Sequence, residues 1–471
     1  MNGLFLGILV YVALQLVIGF VVSKGIKNEN DYLLGGRSLG YPLAIFSIFA
    51  TWFGAESCVG TAGAAYAEGL AGVRTDPFGY TLCLLVMGLF IAVPLYRLKL
   101  TTLADYFRVR FSERVERLTA MFLIPGSLLW AAAQIRAFGL ILSSASSLKV
   151  ETATFLAAMV VIVYTVSGGL LADAWTDLFQ GTILILGLFF LIFSVFNHFG
   201  GVNSALAQIE PSHLNWLQYN GDNIVHQGLV FLETWLVPIT GSLVAQELVS
   251  RILASRNQVI AKRATLFAAL CYLLIGLIPL CLGLIGFTLF PELAEEEQIL
   301  SMVARKFLPP ALYIVFIGAL VSAILSTVDS ALLACSALLS HNIIIPLWGN
   351  MRERTKLYLQ RVTVVCMGVI AFVLAIYGEG VYNLVEEASA FGTSGIFVAM
   401  ILGLYSPLGN ALSAKAAIIT GAATWLISHY LLGLDFSYVV SVIFALLAYV
   451  MASRPSFSSK HPVHNTTPSA S

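Results

Sequence analysis

Gly318–Ser330 reads GALVSAILSTVDS, and this stretch sets how the chain is understood. Four polar residues, Ser326, Thr327, Asp329 and Ser330, sit in a segment otherwise apolar enough to lie in a lipid bilayer. Polar and ionisable groups at that depth cost free energy, and they face a pathway, a partner or a bound ion. A Ser-Thr pair offers neutral hydroxyl oxygens, which suit a small hard cation. The stretch therefore points to an ion site inside a membrane.

The composition agrees. Of 471 residues, 59% are hydrophobic and 11% charged, where soluble domains carry roughly 25% charged residues. The apolar runs are long and continuous rather than alternating, which predicts an all-α polytopic membrane protein and argues against a β-barrel. Basic and acidic residues balance at 25 each, so no nucleic-acid partner is implied. The expected partners are the lipid bilayer, a cation and a small-molecule substrate, with the oligomeric state open. Six cysteines fall in apolar segments without a CxxC pair and read as small buried hydrophobes. The chain has no HExxH pattern and no GxxxxGK[ST] loop. It does not read as an enzyme or as an ATP-driven pump.

At about 20 apolar residues per span, the sequence predicts about 13 transmembrane helices. They fall near 3–22, 41–65, 77–97, 118–147, 152–169, 175–198, 225–248, 264–290, 300–340, 360–378, 381–405, 411–432 and 435–453. The segment 300–340 is long enough to open with a surface helix. The first apolar run has no basic region ahead of it, so it reads as a retained helix with its N-terminus outside. The inside loops then hold basic clusters such as Arg97 to Arg117, Arg251 to Arg263 and Arg352 to Arg361. This orientation puts the C-terminus in the cytoplasm, in a plasma or bacterial inner membrane. The expected organisation is an extra helix and inside loop at 1–40, a first repeat at 41–198 and a second at 199–405. Two further helices follow at 406–454, and a disordered tail at 455–471.

After the first helix the spans divide into two sets of five. The leading helices, 41–65 and 225–248, both carry breakers: Phe53-Gly54-Ala55 in one, Pro238 and Gly241 in the other. Corresponding interrupted helices mark a transporter site between inverted repeats.

Three constellations stand out. The first combines backbone oxygens of Ala50, Phe53 and Ala323 with the hydroxyls of Ser326 and Thr327. Five uncharged oxygens favour a monovalent cation, because hard divalent ions recruit carboxylates. The alternative is that both hydroxyls only bond back to their own helix. The second constellation is Asp177, Asp329 and Ser330, an acidic station on a cation path; for Asp177 a helix cap is the competing reading. The third is Arg136, in LLWAAAQIRAFGLIL, which must pair or reach water. It either meets a substrate carboxylate or forms a structural pair with Glu56, Asp76 or Glu386.

Five motifs in order carry a resemblance: DYLLGGRSLG from Asp31, FGAESCVGTAGAAYAEG from Phe53, VSGGLLADAWTDLFQG from Val166, QELVSRILASRNQVIAKRA from Gln246 and SAILSTVDSALL from Ser322. Together they make residues 31–405 resemble the sodium/solute symporter family. The resemblance implies a LeuT-type five-plus-five inverted repeat and co-transport of sodium. It implies a sodium site at Ala50, Phe53, Ala323, Ser326 and Thr327, in agreement with the first constellation. It matches Asp177 to the family's intracellular-side aspartate and a second cation site to Asp329 and Ser330, where Asp329 departs from a two-serine pattern. By similarity the substrate positions are Trp52, Gly54, Ser57, Asp76, Arg136 and Glu386. The expected function is sodium-coupled uptake of a small polar organic solute by alternating access, with an amino acid or other zwitterion ahead of a simple carboxylate. The alternatives are a solute sensor and proton-coupled transport of a carboxylate.

Overall fold

A computed structural model describes residues 24–453 except 145, 147, 217–222, 294, 350 and 379–380, together with residues 13, 17 and 21. It describes their side chains except those of 144, 322, 381–383 and 386. The expected first helix, apart from those three residues, and the expected tail at 455–471 lie outside the described residues.

The described chain is helical, and its one β-bridge joins Leu39 and Ser255. After α1 (Glu29–Leu34) come α2 (Tyr41–Trp52) and α3 (Thr61–Glu68). A pair of segments across Phe53–Ala55 is bent by 61°. Phe53 leaves helical geometry at φ −83°, ψ 60°, so the break falls on the breakers seen in the sequence. Next are α4 (Arg74–Arg97), α5 (Leu103–Arg110), α6 (Glu113–Ser144) and α7 (Val150–His198). At 49 residues, a straight α7 would be about 74 Å long, far beyond a hydrocarbon core of about 30 Å. It bends at Gly169, where φ is 62°, and so supplies the two spans expected at 152–169 and 175–198.

The second interrupted helix is α8 (Ile224–Leu236) followed by α9 (Gln246–Ala254). Its break differs from the expectation. The chain stays coiled through Pro238 and Gly241 and becomes extended only at Ala245, with ψ 123°. A π-type widening over Val237–Gly241 accommodates the proline, whose missing N–H would otherwise interrupt the helix. The remaining helices are α10 (Gln258–Leu289), α11 (Ile299–Phe307), α12 (Pro310–Leu339), α13 (Glu353–Tyr377), α14 (Val381–Ala390), α15 (Thr393–Tyr405), α16 (Ala411–Leu426) and α17 (Ser437–Ala452). Thus 300–340 does open with a short helix, α11. The span expected at 381–405 is two helices, because Gly392 takes φ 69° between them, a conformation that a side chain disfavours.

Among the described residues eight helices are long and apolar enough to cross a membrane, or nine if the bent pair counts as one. That is fewer than the expected 13 because the span expected at 3–22 lies outside the described residues, α7 counts once, and α14, α15 and α17 are short. The interior is organised around α6, which packs on α7, α12, α13 and α14, while α2 packs on α7, α10 and α12. This brings the first break against the middle of α12. At one end of the bundle a polar cluster forms around Glu29 and Asp105, which lie outside the candidate spans. His341 sits between Glu29 at 2.9 Å and Asp105 at 3.4 Å. Burial would raise the Asp105 carboxyl, but the bond and charge of His341 and the N–H groups of Thr101 and Thr102 outweigh it and hold Asp105 at about 2.

Candidate functional site

The end of α2 and the middle of α12 form a cradle of oxygens. The Thr327 hydroxyl lies 3.2 Å from the Ala50 carbonyl and 3.1 Å from that of Ala323. Ser326 is adjacent but donates to Asp177, whose other oxygen accepts from Ser47 at 2.7 Å. Ser326, Thr327 and Asp177 are buried. The arrangement depends on a close approach at Gly54. A Cβ there would stand 2.5 Å from the Thr327 hydroxyl and 2.8 Å from Gln134 Oε1. Gln134, buried on α6, accepts from the Ala55 N–H at 3.0 Å and so serves a backbone group freed by the break.

One turn along α12 the chemistry changes. Ser330 donates to the Ser326 carbonyl at 3.0 Å and lies 3.1 Å from Asp173, while Arg251 of α9 donates to both Ser330 and Asp173. Arg251 corrects an expectation. Counted among the inside-loop cations, it is a fully buried residue paired with Asp173. A guanidinium can enter such a site only because carboxylates and hydroxyls there satisfy it. The second expected cation set is therefore divided. Asp177 bonds the Ser326 side of the cradle, whereas Ser330 joins Asp173 and Arg251. Asp329 lies beside Asp173 and Thr165. The Thr165 hydroxyl donates to the Val161 carbonyl at 2.9 Å and lies against the buried Asp329 carboxyl.

On the other side of the first break lies a second pocket of polar groups. Ser57 donates to the Trp52 carbonyl, a group released by the break, at 2.9 Å. It also lies 2.7 Å from Asp76 Oδ2 and 2.6 Å from the Tyr272 hydroxyl, which donates to the same Asp76 oxygen at 2.9 Å. Asp76 is 1% exposed, and its Oδ1 has no donor. Tyr272 also belongs to a cluster of aromatic rings. Trp52 packs on Tyr80 at 5.4 Å and on Trp130 at 6.5 Å, and Tyr80 on Tyr272 at 6.5 Å. Buried Glu56 lies beside the Tyr80 hydroxyl.

One of the expected substrate positions stands apart. Arg136 donates to the Ala375 carbonyl at 3.1 Å, on the side of α6 facing α13, and does not join Ser57 and Asp76. The side chain of Glu386 lies outside the described residues. Next to the aromatic group a narrow cavity runs past Trp130, Ser242, Gln246 and Ser389. A larger one, of about 650 Å³, is lined by Glu233, Glu387, Trp425 and His429 and lies away from the Asp76 carboxylate. The sequence reading missed Gln134, Tyr272, Asp173 and the burial of Arg251. Two signals for them were present: Gln134 is a polar residue inside an apolar run, and Asp173 precedes Asp177 by one helical turn.

Comparison with known proteins adds the following. The model of the sodium:solute symporter family matches residues 32–421. High-affinity choline transporter 1 of Drosophila melanogaster is 26% identical over 393 residues, which is 80% of this chain and 62% of that protein, so the chain spans less than two thirds of this relative. The sodium/proline symporter of Escherichia coli K12 is 26% identical over 469 residues, 93% of this chain and 92% of that one. Among solved structures, the substrate-bound outward-open state of a Na+-coupled sialic acid symporter superposes with a TM-score of 0.83 at 19% identity, covering 96% of this chain and 98% of that chain.

Proposed function

This chain belongs to the sodium:solute symporter family, and on that premise we propose that it takes up a small organic solute bearing a positively charged nitrogen, together with sodium, by alternating access. Amino acids and other zwitterions fall in this class, as do quaternary amines. The observation that carries the reading is Asp76, a buried carboxylate with one oxygen lacking a donor and the other bonded by Tyr272, which packs in a cluster of aromatic rings. A protonated amine would satisfy that oxygen. A quaternary ammonium would be held by the same charge and by the ring faces. Arg136, turned to the Ala375 carbonyl, supplies no cation beside Asp76 for a solute carboxylate. The names of two relatives, a choline transporter and a proline symporter, fit the class, since both solutes carry a cationic nitrogen.

Sodium is assigned to the oxygens of Ala50, Phe53, Ala323, Ser326 and Thr327. Bound there, it ties the broken helix to α12 and holds the solute pocket in its binding form. The linkage is reciprocal, so solute tightens sodium binding. Entry down a membrane potential contributes about 2.3 kcal/mol per charge per 100 mV, enough for one sodium to drive marked accumulation. The second cation is assigned to Asp177, Asp329 and Ser330, whose acidic and hydroxyl oxygens are buried beside the Asp173–Arg251 pair. The two repeats, 41–198 and 199–405, are the bodies that move, and the basic loops mark the cytoplasmic side.

The test is uptake from a mixed solute pool into proteoliposomes, read by mass spectrometry, with and without an inward sodium gradient. A cationic-nitrogen solute concentrated only with sodium is the expected result. Accumulation of carboxylates alone would sink the Asp76 reading. Accumulation driven by a proton gradient without sodium would replace the coupling ion. Folded protein that concentrates nothing would move the function to a sensor.

A further inference from the structure

The groups beyond the sodium cradle lie in a line. On α12, Ser326 is followed one turn later by Ser330; on α7, which runs the opposite way beside it, Asp177 is preceded one turn earlier by Asp173. A cation leaving the cradle in this direction passes first Asp177, bonded to Ser326 and Ser47. It then meets Asp173, Asp329 and Ser330. That way is closed by one side chain. Arg251, 0% exposed, reaches across from α9 and donates to Asp173 and Ser330, one on each wall. Its other terminal nitrogen is fixed to its own helix, donating to the Glu247 carbonyl at 3.3 Å and the Ser250 hydroxyl at 3.1 Å.

Three features separate this pair from a simple structural brace. Arg251 belongs to α9, the far half of the second broken helix, which is joined to α8 through the extended residue Ala245. It can therefore withdraw as a unit when that half-helix moves. The passage also keeps the buried carboxyls of Asp329 and Asp173 beside the guanidinium, and these can receive a cation once it leaves. Finally, Asp177 and Asp329 lie within electrostatic reach of the same guanidinium as Asp173, so acidic oxygens line the way for a monovalent ion in transit. The flanking sequence leads from Arg251 through Ser255, bridged to Leu39, to Arg256 and to Lys262 and Arg263 in the first turns of α10. That is the side assigned to the cytoplasm.

We propose that the Arg251–Asp173 pair is the gate on the sodium exit path. Closed, it keeps sodium in the cradle while solute binds. Movement of α9 withdraws the guanidinium, and sodium passes from Asp177 to the carboxylates beyond. Arg251 acts here as a positioning residue whose place in the passage decides whether the passage conducts. The proposal rests on the sodium site above.

The test is radiolabelled sodium flux in proteoliposomes without any organic solute, beside sodium-driven solute uptake in the same preparations. Two variants are compared with the native chain: the pair Asp173→Asn with Arg251→Met, which removes both charges, and Arg251→Lys, which keeps the charge but not the planar fork. The paired variant is expected to leak sodium roughly tenfold faster, the effect of about 1.4 kcal/mol lost from the closed state, with the sodium requirement for half-maximal uptake unchanged. Arg251→Lys is expected to leak measurably, but less. Native-like leak together with native accumulation in folded Arg251→Lys would overturn the gate, even if the paired variant does not fold. An absence of sodium-driven uptake by the native chain would instead overturn the sodium site itself.

Discussion

Two sets of hydroxyls on α12, one turn apart, meet opposite surroundings. Thr327 and Ser326 face backbone carbonyls and a single carboxylate, whereas Ser330 faces Asp173 and a buried guanidinium. The first set is built largely from neutral dipoles at a helix break. Such a site binds a cation without a permanent charge debt and can release it. The second is built from full charges taken out of water, and it is stable only while a cation stays among them. The protein answers that requirement with a tethered cation, Arg251. The contrast teaches that a cradle of neutral oxygens and a site filled by a tethered cation can share one helix if the neighbouring helices supply different partners.

The strongest way to break this comparison is to remove the tethered cation alone. Arg251→Met leaves Asp173 buried and unpaired, and breaking one side of a buried pair costs about 3–5 kcal/mol. The expected outcome is a marked fall in melting temperature and in folded yield, greater than that of the paired variant. A melting curve equal to the native one would show that water reaches Asp173. Next in size is Asp76→Asn on the solute side. Loss of a charge-assisted contact of about 1.5–3 kcal/mol should raise the solute KM by one to two orders of magnitude, with the sodium dependence nearly unchanged. A solute affinity that survives would dismiss the carboxylate as the solute's partner.

Within the cradle the two hydroxyls are expected to differ. Thr327 touches both carbonyls, while Ser326 is turned to Asp177. Thr327→Ala should therefore raise the half-maximal sodium concentration roughly tenfold, a loss of about 1.4 kcal/mol, and Ser326→Ala by less. Sodium titration of uptake decides this, and unchanged dependence in both variants would remove the cradle. The smallest effect concerns acid. Asp105 titrates at about 2, below its ordinary 3.8. The stability it adds is complete above its ordinary value and is lost as pH falls through 2. The melting temperature should drop as pH falls from about 4 to about 2, and Asp105→Asn should flatten that drop.

Legibility in the sequence followed the range of the interaction. The break at Phe53–Ala55 was readable because glycine among bulky residues is a local signal, and the hydroxyls of α12 because they interrupt an apolar run. The break at Ala245 was not, since Pro238 and Gly241 are breakers in sequence yet the packed helix widens to pass them. Arg136 and Arg251 show the same limit. Each is a basic residue near an apolar segment, and the sequence suggested a solute contact for the first and a loop for the second. Packing turned one to a carbonyl on α13 and buried the other between α7 and α12.

The sequence by itself determined that this protein lies in a membrane as a bundle of helices, that a break opens the first helix of the bundle, and that Ser326 and Thr327 face something polar. These follow from hydrophobic run length and from the cost of polar groups in lipid, both properties of a short stretch of chain. Only the tertiary structure decided which groups answer one another. Ser57, Asp76 and Tyr272 meet from three separate helices, as do Asp173, Arg251 and Ser330. Such pairings depend on how helices far apart in sequence cross and on which side chains they desolvate together.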